Sequence, residues 1–471
     1  MGPNRFQTKA HFGHRNNNFR ICFFPDDAIA PDKSSPRAGR NNFPGAALRV
    51  WLGKSFLLIV SALALLGPQN PARAAGFTLY QQGTAAMAQG NAFVAEADDP
   101  SAIFYNPAGI TQLKRPEIYL GAFVNYPDRE FRGPGGQFAQ TKPLFYPAGT
   151  VYITYPFNEH VSGGIGLFVP FGLGSDWPSD WEGRYITTFS RLRTYNLNPV
   201  LSLKFNDRFS VAAGFNVLWS SVELRRHVPI ALGPLQLPDG KTRLHGSGTG
   251  FGFNCGALLE VVEGVKLGVS YRSQIEVNFK GDLDLRLPSL VPGPRSVPGN
   301  AKLIFPPLVT MGISVSRFAP VTVNFDVTWT GWSTYDELWV KLDRPIIVNG
   351  VLTNAIVQPK NWHDTWTFRF GANYQVKENL KIRAGYTYDL SPVPDATFDP
   401  QIPNADQHIF TVGGTWQIKR FTLGIAYNYI LAEARRKDNL IPVNNVPLPG
   451  QANGRYESDV HSLGLSCSYR F

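Results

Sequence analysis

Two groups of side chains in this sequence could do chemistry. Arg272, Arg369, Lys381 and Arg383 fall on the polar phase of alternating runs, where each could hold a carboxylate by charge-assisted hydrogen bonds. Glu276, Asp326 and Asp389 share that phase. Buried charges are normally paired, so these cations are expected to be paired with those acids. The second group is apolar and sits in two loops. Loop 171–190 carries Phe171, Leu173, Trp177, Trp181 and Tyr185, interleaved with Asp176, Asp180 and Glu182. Loop 225–246 carries Val228, Ile230, Leu232, Leu235 and Leu237. Enzyme chemistry finds little support. His160, His227, His245, His363, His408 and His461 are scattered, without metal spacing and without a Gly-x-Ser-x-Gly turn. No Walker-type phosphate loop occurs, and no enzyme activity, cofactor or metal is expected.

The elements that must position these groups are strands. From Glu117 onward the sequence alternates with period two. Val265, Leu267, Val269, Tyr271, Ile275, Val277 and Phe279 are expected on one face, against Lys266, Ser270, Arg272, Glu276 and Lys280 on the other. Trp366, Phe368, Phe370 and Tyr374 alternate with Thr367, Arg369, Gly371 and Asn373 in the same way. Strands are expected near 116–125, 145–155, 160–170, 191–204, 209–224, 247–262, 264–280, 301–317, 320–332, 363–377, 379–391, 406–418, 420–432 and 458–471. Most are as long as a tilted membrane-crossing strand needs, about ten residues. Aromatics such as Trp219, Tyr271, Phe279 and Trp329 stand at the ends of apolar faces, where an interfacial girdle belongs. Tight links such as Asn206-Asp207-Arg208, Glu263-Gly264 and Lys419-Arg420 alternate with long ones. The expected fold is all-β: a 14-stranded antiparallel transmembrane barrel over residues 116–471. Cys255 and Cys467 fall on the lipid phase of the sixth and fourteenth strands, so no bridge between them is expected.

Composition agrees. Of 471 residues, 43% are hydrophobic, 13% aromatic and only 17% charged. Mean hydropathy is −0.14, which excludes a helical membrane protein. The net charge is +10, but residues 1–74 hold ten Lys/Arg and three Asp, which leaves about +3 for the rest. That argues against nucleic-acid binding. Ser55–Leu66 is a short apolar run behind Arg49 and Lys54, and Ala72-Arg73-Ala74 offers a cleavage site. Residues 1–74 are therefore read as an N-terminal extension plus signal peptide, cleaved after Ala74. The polar stretch ahead of the signal suggests a true start near Leu48–Val50.

Between signal and strands lies Ala75–Leu113, rich in Ala and Gly and free of Lys and Arg. About 40 residues cannot build their own core, so the segment must pack inside something else. Its Gly76-Phe77 opening, Ala97-Asp98-Asp99-Pro100-Ser101 and Asn106-Pro107-Ala108 resemble the amino-terminal hatch of the FadL family (OmpP1/FadL/TodX-like). These are outer-membrane transporters of long-chain fatty acids and related hydrophobic compounds. Val169–Leu173 and Trp181–Tyr185 are similar to the same family. The resemblance implies a hatch over 75–115 inside the lumen, with Phe77, Leu79, Asn106, Pro107 and Ala108 as hatch residues. It implies a third strand kinked at Gly163, Gly164 and Gly166, opening a lateral exit. It implies external capture of ligand at Phe171, Leu173, Trp177 and Trp181. Passive, hatch-gated uptake of a fatty acid, aromatic hydrocarbon or similar ligand would follow. Expected partners are lipopolysaccharide and other outer-membrane lipid, and the barrel assembly machinery, which would read the terminal Phe471. A monomer in the outer membrane is expected. A general porin for hydrophilic solutes, or an adhesin or structural barrel, remains as the alternative.

Overall fold

The computed structural model describes residues 76–471 apart from 233–234, 292 and 349–350. The expectations for the leader, its cleavage site and the start therefore lie outside the described residues. Beyond Leu113 the alternating sequence forms strands: β1 (Glu117–Arg132), β2 (Tyr146–Pro156), β3 (Val161–Phe168, resuming as Gly172–Asp176), β4 (Phe189–Asn206), β5 (Phe209–Leu232) and β6 (Leu235–Val262). The series continues with β7 (Val265–Arg272, resuming as Ile275–Arg286), β8 (Ser296–Phe305, resuming as Leu308–Phe318) and β9 (Val321–Thr330). It ends with β10 (Thr365–Lys377), β11 (Leu380–Asp389), β12 (Gln407–Ile418), β13 (Phe421–Lys437) and β14 (Gly454–Arg470). Every neighbour is antiparallel, and β1 pairs both with β2 (Glu117↔Thr154) and with β14 (Glu117↔Arg470), so the 14 strands close. Closure pairs the strands all the way round, the condition for backbone in hydrocarbon, with one local gap between β2 and β3.

Side chains sort as the period demands. On β13, Leu423, Ile425 and Tyr427 face outward and are exposed, while Ala426 and Asn428 face inward and are buried. Tight turns join the strands at one end, through pairs such as Asn206↔Phe209, Val262↔Val265, Lys377↔Leu380 and Ile418↔Phe421. Gly264 sits there at φ +74°, a conformation that favours glycine. The opposite end carries the long connections. One of them is a second hairpin after β9, Glu337–Val348 with Val351–Pro359. Residues 225–246 are not a loop, because β5 and β6 continue as a paired hairpin to Leu232↔Leu235.

One expected face is wrong. β6 pairs with β7 at Asn254↔Arg272 but again at Ser247↔Lys280, so β7 holds one extra residue between those points. This bulge at Arg272–Gln274 flips the side chains beyond it. Ile275, Val277 and Phe279 are buried inside the barrel, not facing lipid. Glu276 consequently leaves the lumen and pairs outside with Lys302 at 2.6 Å.

Residues 76–113 fold into two short helices, α1 (Thr84–Ala88) and α2 (Ala102–Tyr105), and a 3-10 turn (Pro107–Gln112). The segment is almost wholly buried and touches the inward face on all sides: α1 meets β11–β14, and the 3-10 turn meets β3–β6. Inward glycines make the room. A Cβ on Gly385 would overlap the Gln89 backbone, and one on Gly268 would overlap Val94. Above this segment a cluster of aromatic and aliphatic side chains roofs the long-loop end.

Candidate functional site

The site is assembled where the start of the N-terminal segment meets β3. Phe77 is nearly fully buried in an aromatic cage. Its ring centroid lies 4.7 Å from Trp332, 5.7 Å from Trp362, 6.0 Å from Phe305 and Tyr335, and 6.1 Å from Phe171. Contacts at these spacings add to plain burial. Asn404 Nδ2 donates to the Gly76 carbonyl at 2.8 Å, which ties the chain just before the cage to the loop ahead of β12.

From Phe77 to Gln82 the segment hydrogen-bonds to β3 where that strand is interrupted. Gly172 N donates to Phe77 O at 2.9 Å, Leu79 N to Pro170 O at 2.8 Å, and Gln82 Nε2 to Val169 O at 2.6 Å. Thr78 and Phe171 form an antiparallel bridge. The β2–β3 ladder stops at Val151↔Leu167, so Tyr146–Thr150 of β2 have no backbone partner on that side. On the other side the register slips by one between Phe168↔Asn196 and Gly172↔Arg193. The wall is thus broken at Val169-Pro170-Phe171, and the strand that leaves β2 there is held by the segment instead. Pro170 explains the location, because proline supplies no N–H to a ladder.

Gly163, Gly164 and Gly166 were expected to make this break, yet the ladder runs through all three without a shift. Two of them accommodate Ile103 of α2. A Cβ on Gly164 would lie 2.8 Å from Ile103 Cδ1, and one on Gly166 3.0 Å from Ile103 Cγ2. Asn106-Pro107-Ala108 seats mainly against β4–β6 rather than beside β3. Asn106 Nδ2 donates to Ala257 O at 3.0 Å, Ser202 Oγ to Pro107 O at 2.7 Å, and Ser210 Oγ to Ala108 O at 3.1 Å.

The expected capture residues lie inside the roof, not on its surface. Phe171, Trp177 and Trp181 are buried, and Leu173 packs half-buried against them. Trp177 and Trp181 stack at 4.4 Å, and their indole N–H groups donate to Pro400 O and Thr187 O at 3.1 and 2.8 Å. The stacking and the satisfied N–H groups make them core.

Of the four candidate cations the structure brings two together. Arg272 and Arg369 line one cavity of about 40 Å³ beneath the segment's start, with Tyr80, Phe104, Tyr105, Leu308 and the carboxylate of Asp326. Arg272 donates to Asn216 Oδ1 at 2.6 Å and to Phe104 O at 3.2 Å, and lies over the Phe104 and Phe168 rings at 5.1 and 5.3 Å. Arg369 lies 4.1 Å from the Tyr80 ring centroid and donates to Thr328 Oγ1. Its Nε and Nη2 have no hydrogen-bond partner among the described residues. Neither arginine forms an ion pair among the described residues, contrary to the expected pairing. Lys381 instead pairs with Asp98 at 3.6 Å, and Arg383 donates to Thr415 Oγ1 at 2.8 Å, away from the cavity. Two cationic side chains in an aromatic-lined hollow can hold an anionic group attached to an apolar body. The cage residues Trp332, Tyr335 and Trp362 escaped the sequence reading. Their signal was the pair of aromatics in 331–336 and the lone Trp362 just ahead of β10, both flanking strands.

Comparison with known proteins adds a second line of argument. The family model described as outer membrane protein transport protein (OMPP1/FadL/TodX) matches residues 68–471. Over 446 residues the chain is 28% identical to a 47 kDa outer membrane protein of Pasteurella multocida, covering 88% of this chain and 98% of that one. It is 26% identical over 400 residues to a long-chain fatty acid transport protein of Escherichia coli O6:H1, covering 75% and 86%. The crystal structure of a Pseudomonas aeruginosa FadL homologue matches with a TM-score of 0.72 at 22% identity, covering 84% of this chain and 100% of that chain. The Ralstonia pickettii toluene transporter TbuX matches at 0.62 and 18% identity, covering 83% and 98%. At these identities the two structures show a shared fold.

Proposed function

The chain belongs to the OMPP1/FadL/TodX family of outer-membrane transport proteins, and from that premise we propose that it takes up a long-chain fatty acid or similar hydrophobic carboxylate by passive, hatch-gated diffusion with lateral exit. The observation that carries the reading is the attachment of residues 77–82 to β3 at its break. The hatch terminus and the wall opening share hydrogen bonds, so a ligand that displaces one loosens the other. An alkyl chain gains about 0.8 kcal/mol per methylene on entering an apolar site. That gain can compensate for removal of Phe77 from its cage. The 40 Å³ cavity is too small for such a chain, which fits a closed state that ligand must open. The carboxylate would meet Arg272 and Arg369. The alkyl body would then leave between Tyr146–Thr150 of β2 and the 169–172 segment of β3, into the bilayer. No chemical energy source is needed, because partition into the membrane is downhill.

The name of the E. coli relative favours a fatty acid, and that of the Ralstonia neighbour an aromatic hydrocarbon. Two arginines against the single Asp326 in the cavity leave a cationic surplus that favours the carboxylate. Uptake of radiolabelled oleate and of toluene by a strain lacking its own transporter tests this. Arg369→Gln and Arg272→Gln should each lower oleate uptake about tenfold or more, the worth of one charge-assisted hydrogen bond. Toluene uptake should change little. Equal loss for both compounds would overturn the carboxylate role, and uptake of small sugars but not oleate would make the protein a porin.

A further inference from the structure

Above its lipid-facing band, the outer wall of β4–β7 turns basic within one step. The outward series of β4 climbs through Phe205, Leu203 and Leu201 to Tyr195, and the next outward residues are Arg193 and Arg191. On β5 it climbs through Phe215 to Trp219, then Ser221, Glu223 and Arg225. Tyr195 pairs with Trp219 across the ladder, so the two mark one level. Aromatics at that level mark the membrane interface. Arg193 and Arg191 then stand about 7 and 14 Å further along the strand, or about 5 and 10 Å further out at a tilt of about 40°. That is where the headgroups of the outer leaflet lie.

The bases there are organised. The Glu223 carboxylate is covered by three guanidiniums, accepting from Arg191 Nη2 at 2.8 Å, Arg225 Nη2 at 2.6 Å and Arg243 Nε at 2.7 Å. One buried acid therefore gathers three guanidiniums at one place. Arg243 also reaches Asp284 at 3.5 Å. Arg193 and Lys280 make no ion pair among the described residues. Together with Arg191, Arg193 lines a hollow of about 360 Å³ beside Lys280, where Glu223 and Asp282 are the acids, and with Tyr195 and Trp219 a second of about 300 Å³ directly below. The bulge in β7 contributes, because it is what turns Lys280 outward.

We propose that this face binds the phosphates of a phosphorylated, multiply acylated glycolipid of the lipid A type in the outer leaflet. Guanidinium forks match phosphate oxygens in pairs, and Glu223 holds them ready. The acyl chains would lie along the outward apolar residues below the Tyr195–Trp219 level. That continuity commits the site to a lipid rather than to free phosphate, which would have no use for the apolar wall. The inference depends on the outer-membrane location and not on the transported ligand.

The test uses the full chain purified in detergent and exchanged with defined lipids, with retained lipid read by native mass spectrometry. Wild-type protein should retain bisphosphorylated lipid A about tenfold or more better than its dephosphorylated form or phosphatidylglycerol, the scale of one or two charge-assisted bonds. Arg193→Gln/Lys280→Gln should lose that preference while keeping wild-type oleate uptake and the heat-modifiable gel mobility of a folded barrel. Equal retention of phosphorylated and dephosphorylated lipid by the wild type overturns the proposal, and this arm needs no variant. Equal retention of phosphatidylglycerol, or a folded double variant that still prefers lipid A, overturns it too.

Discussion

At the residue scale, the glycines of β3 turn on single methyl groups. Ile103 is fully buried over Gly164 and Gly166. Gly164→Val should unseat α2 at a cost of about 1–3 kcal/mol, the usual range for overpacking. Ile103→Ala should restore part of that loss in the double variant. Gly163→Val should do little, because its Cβ would meet chiefly the exposed ring of Phe157. Urea midpoints of the four variants, with Ile103→Ala measured alone as well, check this, and a fully additive double variant would contradict the contact. Phe77 gives a second case. Phe77→Ala should remove about 3–5 kcal/mol of packing from the cage. The Gly172 amide, which donates to Phe77 O, should then exchange with deuterium much faster. Phe77 and Leu79 were legible in the sequence because they stand in a stretch with a recognisable wording. Trp332, Tyr335 and Trp362 were not, since they come from connections more than 250 residues away and follow no period.

At the scale of elements, alternation was enough to place the 14 barrel strands, because each must present one face to lipid and one to the lumen, but not the hairpin Glu337–Val348 with Val351–Pro359. Its failure at β7 is instructive. Ile275, Val277 and Phe279 keep the parity of Leu267 and Val269, so no count of apolar residues reveals the extra residue at the bulge. The signal available was Arg272-Ser273-Gln274, three polar residues inside an apolar run. The β3 break was misplaced for a similar reason: glycines attract attention, whereas Val169-Pro170-Phe171 looks like a strand end. The loop ahead of β12 carries its own prediction. Burial, and then the neighbouring Glu433, push the Asp406 carboxyl up to about 7. Asp406 accepts from Ser391 N at 3.1 Å and Tyr388 OH at 3.2 Å. A carboxyl raised above its unfolded value of about 3.9 stabilises the fold most at pH below that value. The contribution is lost as pH rises through about 7. Amides in 391–406 should therefore exchange faster at pH 8 than at pH 5.5 after correction for intrinsic rates. Asp406→Asn should abolish the difference.

At the scale of the whole molecule, a closed barrel, an internal segment that touches it on all sides, and a wall broken where that segment begins form one mechanical unit. The barrel supplies rigidity, since its antiparallel ladders close the full circle of 14 strands. In the proposed gate the segment is the movable part. The hold of residues 77–82 on β3 is three backbone-directed hydrogen bonds and one aromatic side chain, which is little compared with the full ladders around it. The decisive experiment locks that hold. A Cβ on Gly172 would lie 3.6 Å from Leu79 Cγ, close enough for a disulfide in Leu79→Cys/Gly172→Cys with Cys255 and Cys467 changed to serine. Oleate uptake should fall to background when the pair is oxidised and return on reduction. Uptake that continues unchanged through a fully formed cross-link would contradict release of the hatch from β3 as the gate.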